Sequence, residues 1–303
     1  MAVKSNGNFA AFVNGKVEEL RAAGRYGTAD TYLSALRSFL KFRGGKDFEF
    51  DDLRCPEVSK YESWLLRGGV SRNTASFYLR TLRTICRLAE KAGLKTGGPG
   101  LFSDVYTGFP KTGKRAVSLA EIRRIKELDL VGRPALDFAR DLFLFSFYMR
   151  GMPFVDLAYL KKSDLRGGTV VYERRKTGQR LTVEWETQMQ AVADKYAESV
   201  KDSIYMLPVI TRPDIPERVQ YQDVQRSVNR NLKAVAALAG MDAPLSFYVA
   251  RHTWASAAYR MNIPVSVISE SMGHESERTT RIYLASLDSS VVDSANRRIL
   301  GCL

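Results

Sequence analysis

The sequence predicts a mainly α-helical protein with one small antiparallel β-sheet, an α+β fold divided into two domains. Apolar residues recur at helical spacing through most of the chain, and a Gly- and Pro-rich stretch interrupts that spacing once. Paired β-branched runs suited to a hairpin lie between Gly167 and Trp185. With 303 residues, 45% of them hydrophobic, each domain can bury its own core.

The first domain, residues 1–95, is predicted to be a small helical bundle. Its four amphipathic segments cover residues 9–20, 32–40, 56–66 and 71–91. Ser71 is expected to cap the last of these helices, because its hydroxyl can accept a hydrogen bond from a free backbone amide. Residues 96–115 are dense in Gly, Pro, Thr and Ser, which predicts a linker between the domains.

The fourth predicted helix carries a stripe of arginines opposite its apolar face. The candidate DNA-binding residues there are Arg72, Arg80, Arg83 and Arg87. Spacings of three and four residues bring most of them onto one helical face, which is expected to point away from the core. A solvated surface and a phosphate-binding surface both fit this pattern when it is taken alone.

The second domain, residues 116–303, is predicted to be helical around one β-hairpin. Ser118 and Glu121 form a capping-box pattern, and a strongly apolar helix over residues 133–149 is expected to be buried. The hairpin strands lie near 169–172 and 181–183, with Lys176 in the turn between them. Further helices are predicted over residues 221–239, 245–261, 264–272 and 288–300.

Composition narrows the possible functions. The chain has 46 Lys and Arg against 33 Asp and Glu, a net charge of +13 that favours a polyanionic partner, nucleic acid first. Its 3 cysteines are odd in number and far apart, so neither a disulfide framework nor a paired-cysteine zinc site is expected. No apolar run has the length of a membrane span. These features predict a cytoplasmic protein without a structural metal.

Several residues of the second domain suit phosphodiester chemistry that needs no metal. Such chemistry requires a nucleophile, cations around the phosphate oxygens and an acid for the leaving oxygen. Arg150 and Arg251 each place a charge within an apolar segment, so each needs an anion, a salt bridge or water. Taken singly, His274 and Tyr283 also fit ordinary roles in packing or capping.

In their order along the chain, Arg150, Lys176, Arg251, His274 and Tyr283 closely resemble the catalytic set of the tyrosine recombinase (phage integrase) family. The most specific segments are Tyr248–Ala255, and Met272–His274 with Thr280–Tyr283, at the family's interval of nine residues from His to Tyr. The resemblance covers essentially the whole chain. It implies an N-terminal helical core-binding domain of the SAM-like type followed by a tyrosine recombinase catalytic domain.

Two positions depart from the family pattern. Tyr248 stands where the family usually has a histidine, and Pro153 stands where it usually has an acid. Asp156, one turn further on, is predicted to replace that acid and to orient one of the catalytic cations. A phenol is a poor general base near neutral pH, so Tyr248 is expected to position other groups. The segment 148–156 resembles integrases of Bacteroidetes mobile elements.

The resemblance implies a mechanism. Tyr283 attacks the scissile phosphate to form a 3′-phosphotyrosine, and Lys176 protonates the 5′-oxygen that leaves. Arg150 and Arg251 bind the non-bridging oxygens, and His274 donates a further hydrogen bond. Because the phosphotyrosine conserves the bond energy, neither metal nor other cofactor is expected, in keeping with the absence of a P-loop motif.

The same resemblance implies double-stranded DNA as the substrate and a homo-tetramer on two DNA segments. A helix over Ser290–Leu300 is expected to pack between neighbouring protomers, and accessory DNA-bending proteins are possible partners. Two alternatives stay open. A non-catalytic DNA-binding protein on this scaffold would not need Tyr283, and an enzyme similar to type IB topoisomerases would relax DNA without site specificity.

Overall fold

The structure, a computed structural model, describes residues 8–109, 116–284, 297, 300 and 301, and within these it leaves the side chains of residues 282 and 283 undescribed. The chain forms two compact units, Met1–Thr112 and Gly113–Leu303. The division falls inside the segment predicted as a linker. Each unit has its own hydrophobic core, as the composition predicts.

The described residues of the first unit form four α-helices. They are α1 (Phe9–Ala22), α2 (Tyr26–Phe42), α3 (Cys55–Arg67) and α4 (Arg72–Lys91). Their apolar faces enclose a core in which Phe9, Phe39 and Tyr61 are fully buried. Ser71 Oγ accepts a hydrogen bond from Thr74 N at 3.2 Å, so the predicted cap of α4 is confirmed.

Residues 97–109 pack against this four-helix unit. Ser76 Oγ donates to Gly108 O at 2.6 Å, and Tyr106 N donates to Glu62 Oε1 at 3.1 Å. A side chain at Gly97 would place its Cβ only 1.9 Å from Leu53 O, so this backbone contact requires glycine. Most of the segment predicted as a linker is therefore ordered structure of the first unit.

The second unit contains eight helices among its described residues and one small sheet. The helices are α5 (Leu119–Lys126), α6 (Pro134–Tyr148), α7 (Phe154–Ala158), α8 (Thr187–Lys195), α9 (Glu217–Leu238), α10 (Phe247–Arg260), α11 (Val265–Ser271) and α12 (Glu277–Leu284). The strands are β1 (Leu165–Arg166), β2 (Thr169–Glu173) and β3 (Arg180–Glu184), antiparallel in the order β1-β2-β3. The fold class predicted from the sequence is confirmed.

Local sequence explains the main elements of this unit. Ser118 and Glu121 form the predicted capping box at the start of α5, and the apolar helix α6 is buried along most of its length. In β2, Val170 and Tyr172 point into the core while the residues between them are more exposed. This alternation sets the register in which Tyr172 pairs with Leu181.

Four short elements, β1, α7, α8 and α12, were not predicted. Strand β1 has only two residues and α7 only five, too few to establish a hydrophobic period. Helices α8 and α12 are also short, with nine and eight residues. The helix predicted over residues 288–300 lies almost entirely outside the described residues. In the described part of the chain, no helix is both long and apolar enough to cross a membrane.

Candidate active site

Arg251 is the centre of a polar cluster inside the second unit. It lies in α10 and is only 4% exposed. Its Nη1 donates to Gly151 O at 2.9 Å, and its Nη2 donates to Met272 O at 2.6 Å. The same Nη2 lies 2.9 Å from His274 Nε2. These acceptors satisfy a guanidinium whose burial would otherwise carry a large desolvation cost.

The turn that follows α6 brings Arg150 to this cluster. Arg150 has a φ of 56°, which is uncommon for a residue with a side chain, and Gly151 has a φ of 73°. A Cβ at Gly151 would lie 2.5 Å from Arg251 Cα, so the close approach requires glycine. Arg150 is half-buried, and its Nη1 donates to Thr182 O in β3 at 3.2 Å.

His274 follows α11 and connects Arg251 to α12. A guanidinium can only donate, so His274 Nε2 accepts from Arg251. The proton of the neutral ring therefore resides on Nδ1, which donates to Thr280 Oγ1 at 2.7 Å. Thr280 is fully buried in α12, three residues before Tyr283. This hydrogen bond fixes the helix that carries the predicted nucleophile against the arginine cluster.

The electrostatic environment keeps His274 neutral. Burial, followed by the charges of Arg251, Arg174 and Lys176, lowers the pKa of His274 from 6.5 to about 3. Protonation would add a further positive charge beside three cations. The cationic groups around the imidazole form an environment suited to an anion such as a phosphate.

Lys176 and Tyr248 lie at the margins of the cluster. Lys176 is exposed in the turn between β2 and β3, and its charge contributes to the lowered pKa of His274. Tyr248 is 42% exposed and meets the ring of His252 edge-on at 4.8 Å. With Arg251 it lines an open groove of about 590 Å³. The groove allows a large ligand to reach the buried guanidinium.

Asp156 does not pair with either predicted arginine. It is 3% exposed, its Oδ1 accepts from Arg175 N at 3.0 Å, and its Oδ2 lies 3.7 Å from Arg174 Nε. Burial raises the pKa of the Asp156 carboxyl, while the Arg175 hydrogen bond and the charges of Arg174 and Arg251 oppose the rise. Its ion-pair partner is thus a residue that the sequence analysis did not single out.

The remaining predicted residues divide between the two units. Tyr283 lies in α12, but the position of its side chain falls outside what the structure describes. Arg72 and Arg87 are exposed on α4 of the first unit. Arg80 and Arg83 are half-buried, because Arg80 donates to Gly108 O and Arg83 donates to Thr107 Oγ1 at 2.8 Å. None of the four arginines is among the buried residues of α4, and the contacts of Arg80 and Arg83 with residues 107 and 108 are ones that the helical spacing does not predict.

Sequence reasoning missed Arg174 and Thr280. Arg174 is hidden in a run of three basic residues, yet the alternation of β2 points Val170 and Tyr172 inward and predicts the same for position 174. Thr280 had no signal of its own beyond its place one turn before Tyr283. In the described part of the chain, no group of three or more His, Cys, Asp or Glu residues is arranged to hold a metal ion.

Both units match families of known proteins. Residues 8–99 match the phage integrase SAM-like domain, and residues 136–290 match the phage integrase family. Tyrosine recombinase XerD of Rhizobium meliloti (strain 1021) is 26% identical over 308 residues, covering 94% of this chain and 93% of that protein.

Two solved structures share the fold. A lambda integrase (75-356) dimer bound to a COC′ core site has a TM-score of 0.68 and 17% identity, covering 91% of this chain and 95% of that chain. A lambda integrase tetramer bound to a Holliday junction has a TM-score of 0.67 and 16% identity, covering 92% and 78% respectively.

Proposed function

Because the chain belongs to the phage integrase family and is a site-specific tyrosine recombinase, we propose that it cleaves and rejoins double-stranded DNA through Tyr283. The observation that carries this proposal is the cluster of Arg251, His274 and Thr280. It joins a buried guanidinium and an imidazole to α12, the helix in which Tyr283 lies.

The reaction proceeds by two balanced transfers of one phosphoryl group. The Tyr283 oxygen bonds to phosphorus as the bond to the 5′-oxygen breaks, giving a 3′-phosphotyrosine and a 5′-hydroxyl. The phenol gives up one proton to water, and the leaving oxygen gains one, which Lys176 supplies from the exposed turn and then recovers from solvent. In the second step a 5′-hydroxyl attacks the phosphotyrosine and restores Tyr283. No net bond energy is consumed, so no cofactor has to supply any.

The arginines stabilise the charge of the transition state. Arg251 and Arg150 are oriented by donating to backbone carbonyls, Gly151 O and Thr182 O among them, and they bind the non-bridging oxygens when a phosphate enters. Asp156 supports the site through Arg174, whose charge it offsets. Tyr248, at the rim of the groove beside Arg251, helps to hold the DNA in place.

His274 needs a change of protonation to donate a hydrogen bond to the phosphate. Its Nε2 accepts from Arg251, so it donates only after a proton reaches Nε2. The Thr280 hydroxyl permits this change. It accepts from Nδ1 in the present tautomer and donates to Nδ1 when Nδ1 has lost its proton.

The proposed assembly is based on two similar solved structures. The lambda integrase structures are described as a dimer on a core site and a tetramer on a Holliday junction. We therefore propose a homo-tetramer that holds two DNA segments in the cytoplasm, with residues 1–95 and 116–303 as its DNA-binding and catalytic domains. The packing helix over Ser290–Leu300 and the accessory DNA-bending proteins stay predictions.

The test is capture of the covalent intermediate on a nicked suicide DNA substrate. Wild-type protein should yield an adduct that survives denaturing electrophoresis, and Tyr283→Phe should yield none while binding DNA nearly as tightly, because only the nucleophilic oxygen is lost. Tyr259→Phe, which removes a phenolic oxygen from α10 of the same unit, is the matched control and should keep the adduct. An adduct that persists in Tyr283→Phe would assign the nucleophile to another residue.

A further inference from the structure

Arg174 is a buried cation outside the predicted catalytic set. It follows β2 directly and is 6% exposed, whereas Arg175 and Lys176, its neighbours in the chain, are exposed. A guanidinium at this depth requires compensating acceptors and charge. The burial of Arg174 therefore has to be explained by its contacts, whereas its exposed neighbours are solvated by water.

The backbone of Arg174 closes the turn that carries Lys176. Arg174 N donates to Gln179 O at 2.8 Å, and Arg174 O accepts from Gly178 N at 2.8 Å. These two hydrogen bonds frame a six-residue turn, residues 174–179, with Lys176 inside it. The orientation of the Lys176 turn relative to the rest of the unit thus depends on how residue 174 is anchored.

The side chain of Arg174 provides that anchor on the segment preceding His274. Its Nη1 donates to Gly273 O and also to Met272 O, the latter at 3.3 Å. Met272 O accepts from Arg251 as well, at 2.6 Å. One carbonyl therefore connects both guanidinium groups, and the residue after Gly273 is His274.

Close packing also restricts the contact between Arg174 and Gly273. Gly273 has a φ of 63°, and a Cβ there would lie 2.6 Å from Arg174 Cδ and 3.2 Å from Gln179 Oε1. The Lys176 turn thus lies directly on the backbone of residue 273. On its other side, Arg174 Nε lies 3.7 Å from the buried carboxylate of Asp156, which offsets the charge without exposure to water.

We propose that Arg174 is a positioning residue that fixes the Lys176 turn against the Met272–His274 segment, so that Lys176 reaches the leaving oxygen. The inference rests on the proposed role of Lys176 as the general acid. Arg174 itself is not assigned a contact with the phosphate, because its guanidinium is directed at Asp156 and the two carbonyls and, unlike Arg251, it does not line the groove beside Tyr248. Its effect on the reaction passes through Lys176.

The experiment compares two suicide substrates in single-turnover cleavage at saturating protein. One has the ordinary 5′-oxygen, and the other has a 5′-bridging sulfur that leaves without protonation. Arg174→Met should slow cleavage of the oxygen substrate by about tenfold or more and that of the sulfur substrate much less, since only the first needs a positioned acid. Arg180→Met, which removes an exposed arginine from the same hairpin, is the matched control and should change neither rate appreciably.

A double variant separates positioning from general damage. In a Lys176→Ala background, Arg174→Met should cause little further loss on the oxygen substrate, because the acid that it positions is gone. If Arg174→Met does not fold, Arg174→Lys replaces it, since lysine keeps the positive charge but lacks the planar group that places Nε beside Asp156 and Nη1 on the two carbonyls at the same time. The same selective loss is expected from Arg174→Lys.

Equal losses on both substrates, or a full further loss in the Lys176→Ala background, would overturn the proposal and leave Arg174 a general structural role. Unchanged rates in both Arg174 variants would also overturn it. These results are distinct from failure of the proposed function, in which wild-type protein forms no adduct or Tyr283→Phe retains it.

Discussion

Arg251 illustrates how a charged residue becomes the centre of a site. At 4% exposure its guanidinium is held by Gly151 O, Met272 O and His274 Nε2, all from other segments of the second unit. Such hydrogen bonds have fixed directions, so the group is oriented before any substrate arrives. A phosphate at the adjoining groove would meet a cation whose orientation is already restricted.

Tyr248 and Arg251 should differ in importance although they lie one turn apart on α10. A neutral hydrogen bond from the Tyr248 hydroxyl contributes about 0.5–1.5 kcal/mol, so Tyr248→Phe should slow single-turnover cleavage by about tenfold or less. Arg251→Ala removes charge-assisted contacts and should slow it by about a hundredfold or more. Both rates are measured on one suicide substrate, with DNA binding determined separately. Equal inactivity of the two variants would contradict the positioning role of Tyr248.

His274 should stay neutral through the physiological range in the DNA-free protein. Its pKa is lowered to about 3, whereas an imidazole in an unfolded chain titrates near 6.5. In proton NMR, the ring resonance that His274→Gln removes should not shift between pH 8 and 5. The chain has 2 histidines, so the assignment is simple. A titration of that resonance near pH 6.5 would contradict the electrostatic picture.

The same pKa has a consequence for stability, with a definite sign. Below about pH 6.5 the unfolded chain binds a proton at residue 274 and the folded chain does not, so the free energy of unfolding falls as the pH falls toward 3. Above pH 6.5 both states are neutral there and the contribution is constant. His274→Gln should therefore show a shallower loss of stability between pH 6.5 and 4 in denaturant titrations.

At the scale of elements, α4 separates its arginines into two pairs. Arg80 donates to Ser76 Oγ and Gly108 O and lies over the Phe109 ring, with 4.1 Å between its guanidinium carbon and the ring centroid. Arg83 donates to Thr107. Residues 106–109 thus contact three of the four arginines, since Arg72 also lies over the Tyr106 ring at 5.0 Å, and Arg87 remains the best placed of the four for a phosphate contact.

Because Arg87 is exposed and Arg80 is half-buried, replacing each of them by glutamine should have different effects. Arg87→Gln should reduce the slope of log affinity against log salt for duplex DNA by about 0.9, the loss of one phosphate contact, and leave the melting temperature unchanged. Arg80→Gln should lower the melting temperature, because it breaks the contacts with Gly108 and Phe109. Arg37→Gln, an exposed arginine on α2, is the control for net charge. A melting temperature unchanged in Arg80→Gln would show that those contacts add no stability.

At the scale of the whole molecule, the proposed mechanism gives positive charge the role that a metal ion has in other phosphodiester chemistry. The chain carries a net charge of +13, and its candidate site concentrates arginine, lysine and a neutral imidazole. Adduct formation on the suicide substrate should therefore be the same in excess EDTA as in magnesium. Activity lost on chelation and restored by magnesium would contradict the mechanism, and a metal-dependent nuclease serves as the control for effective chelation.

The amino-acid sequence by itself determined the fold class, most of the longer helices, the hairpin and the order of the candidate residues. These depend on local features. Hydrophobic periodicity, capping residues and turn-forming residues act over a few positions, and the interval from His274 to Tyr283 covers only the loop after α11 and most of α12. The chemistry proposed for the site could be predicted because the spacing of its side chains resembles a known family pattern.

Only the tertiary structure decided which charged groups meet. The hydrogen bond from Arg251 to Gly151 spans 100 positions, and those from Arg174 to Met272 and Gly273 span 98 and 99. No local pattern specifies such pairs, because they depend on how α6, α10 and the hairpin pack together. The pairing of Asp156 with Arg174 was therefore not foreseen, and neither were the contacts that half-bury Arg80. Side-chain burial is a property of the packed unit, and it gives each of these charges its role.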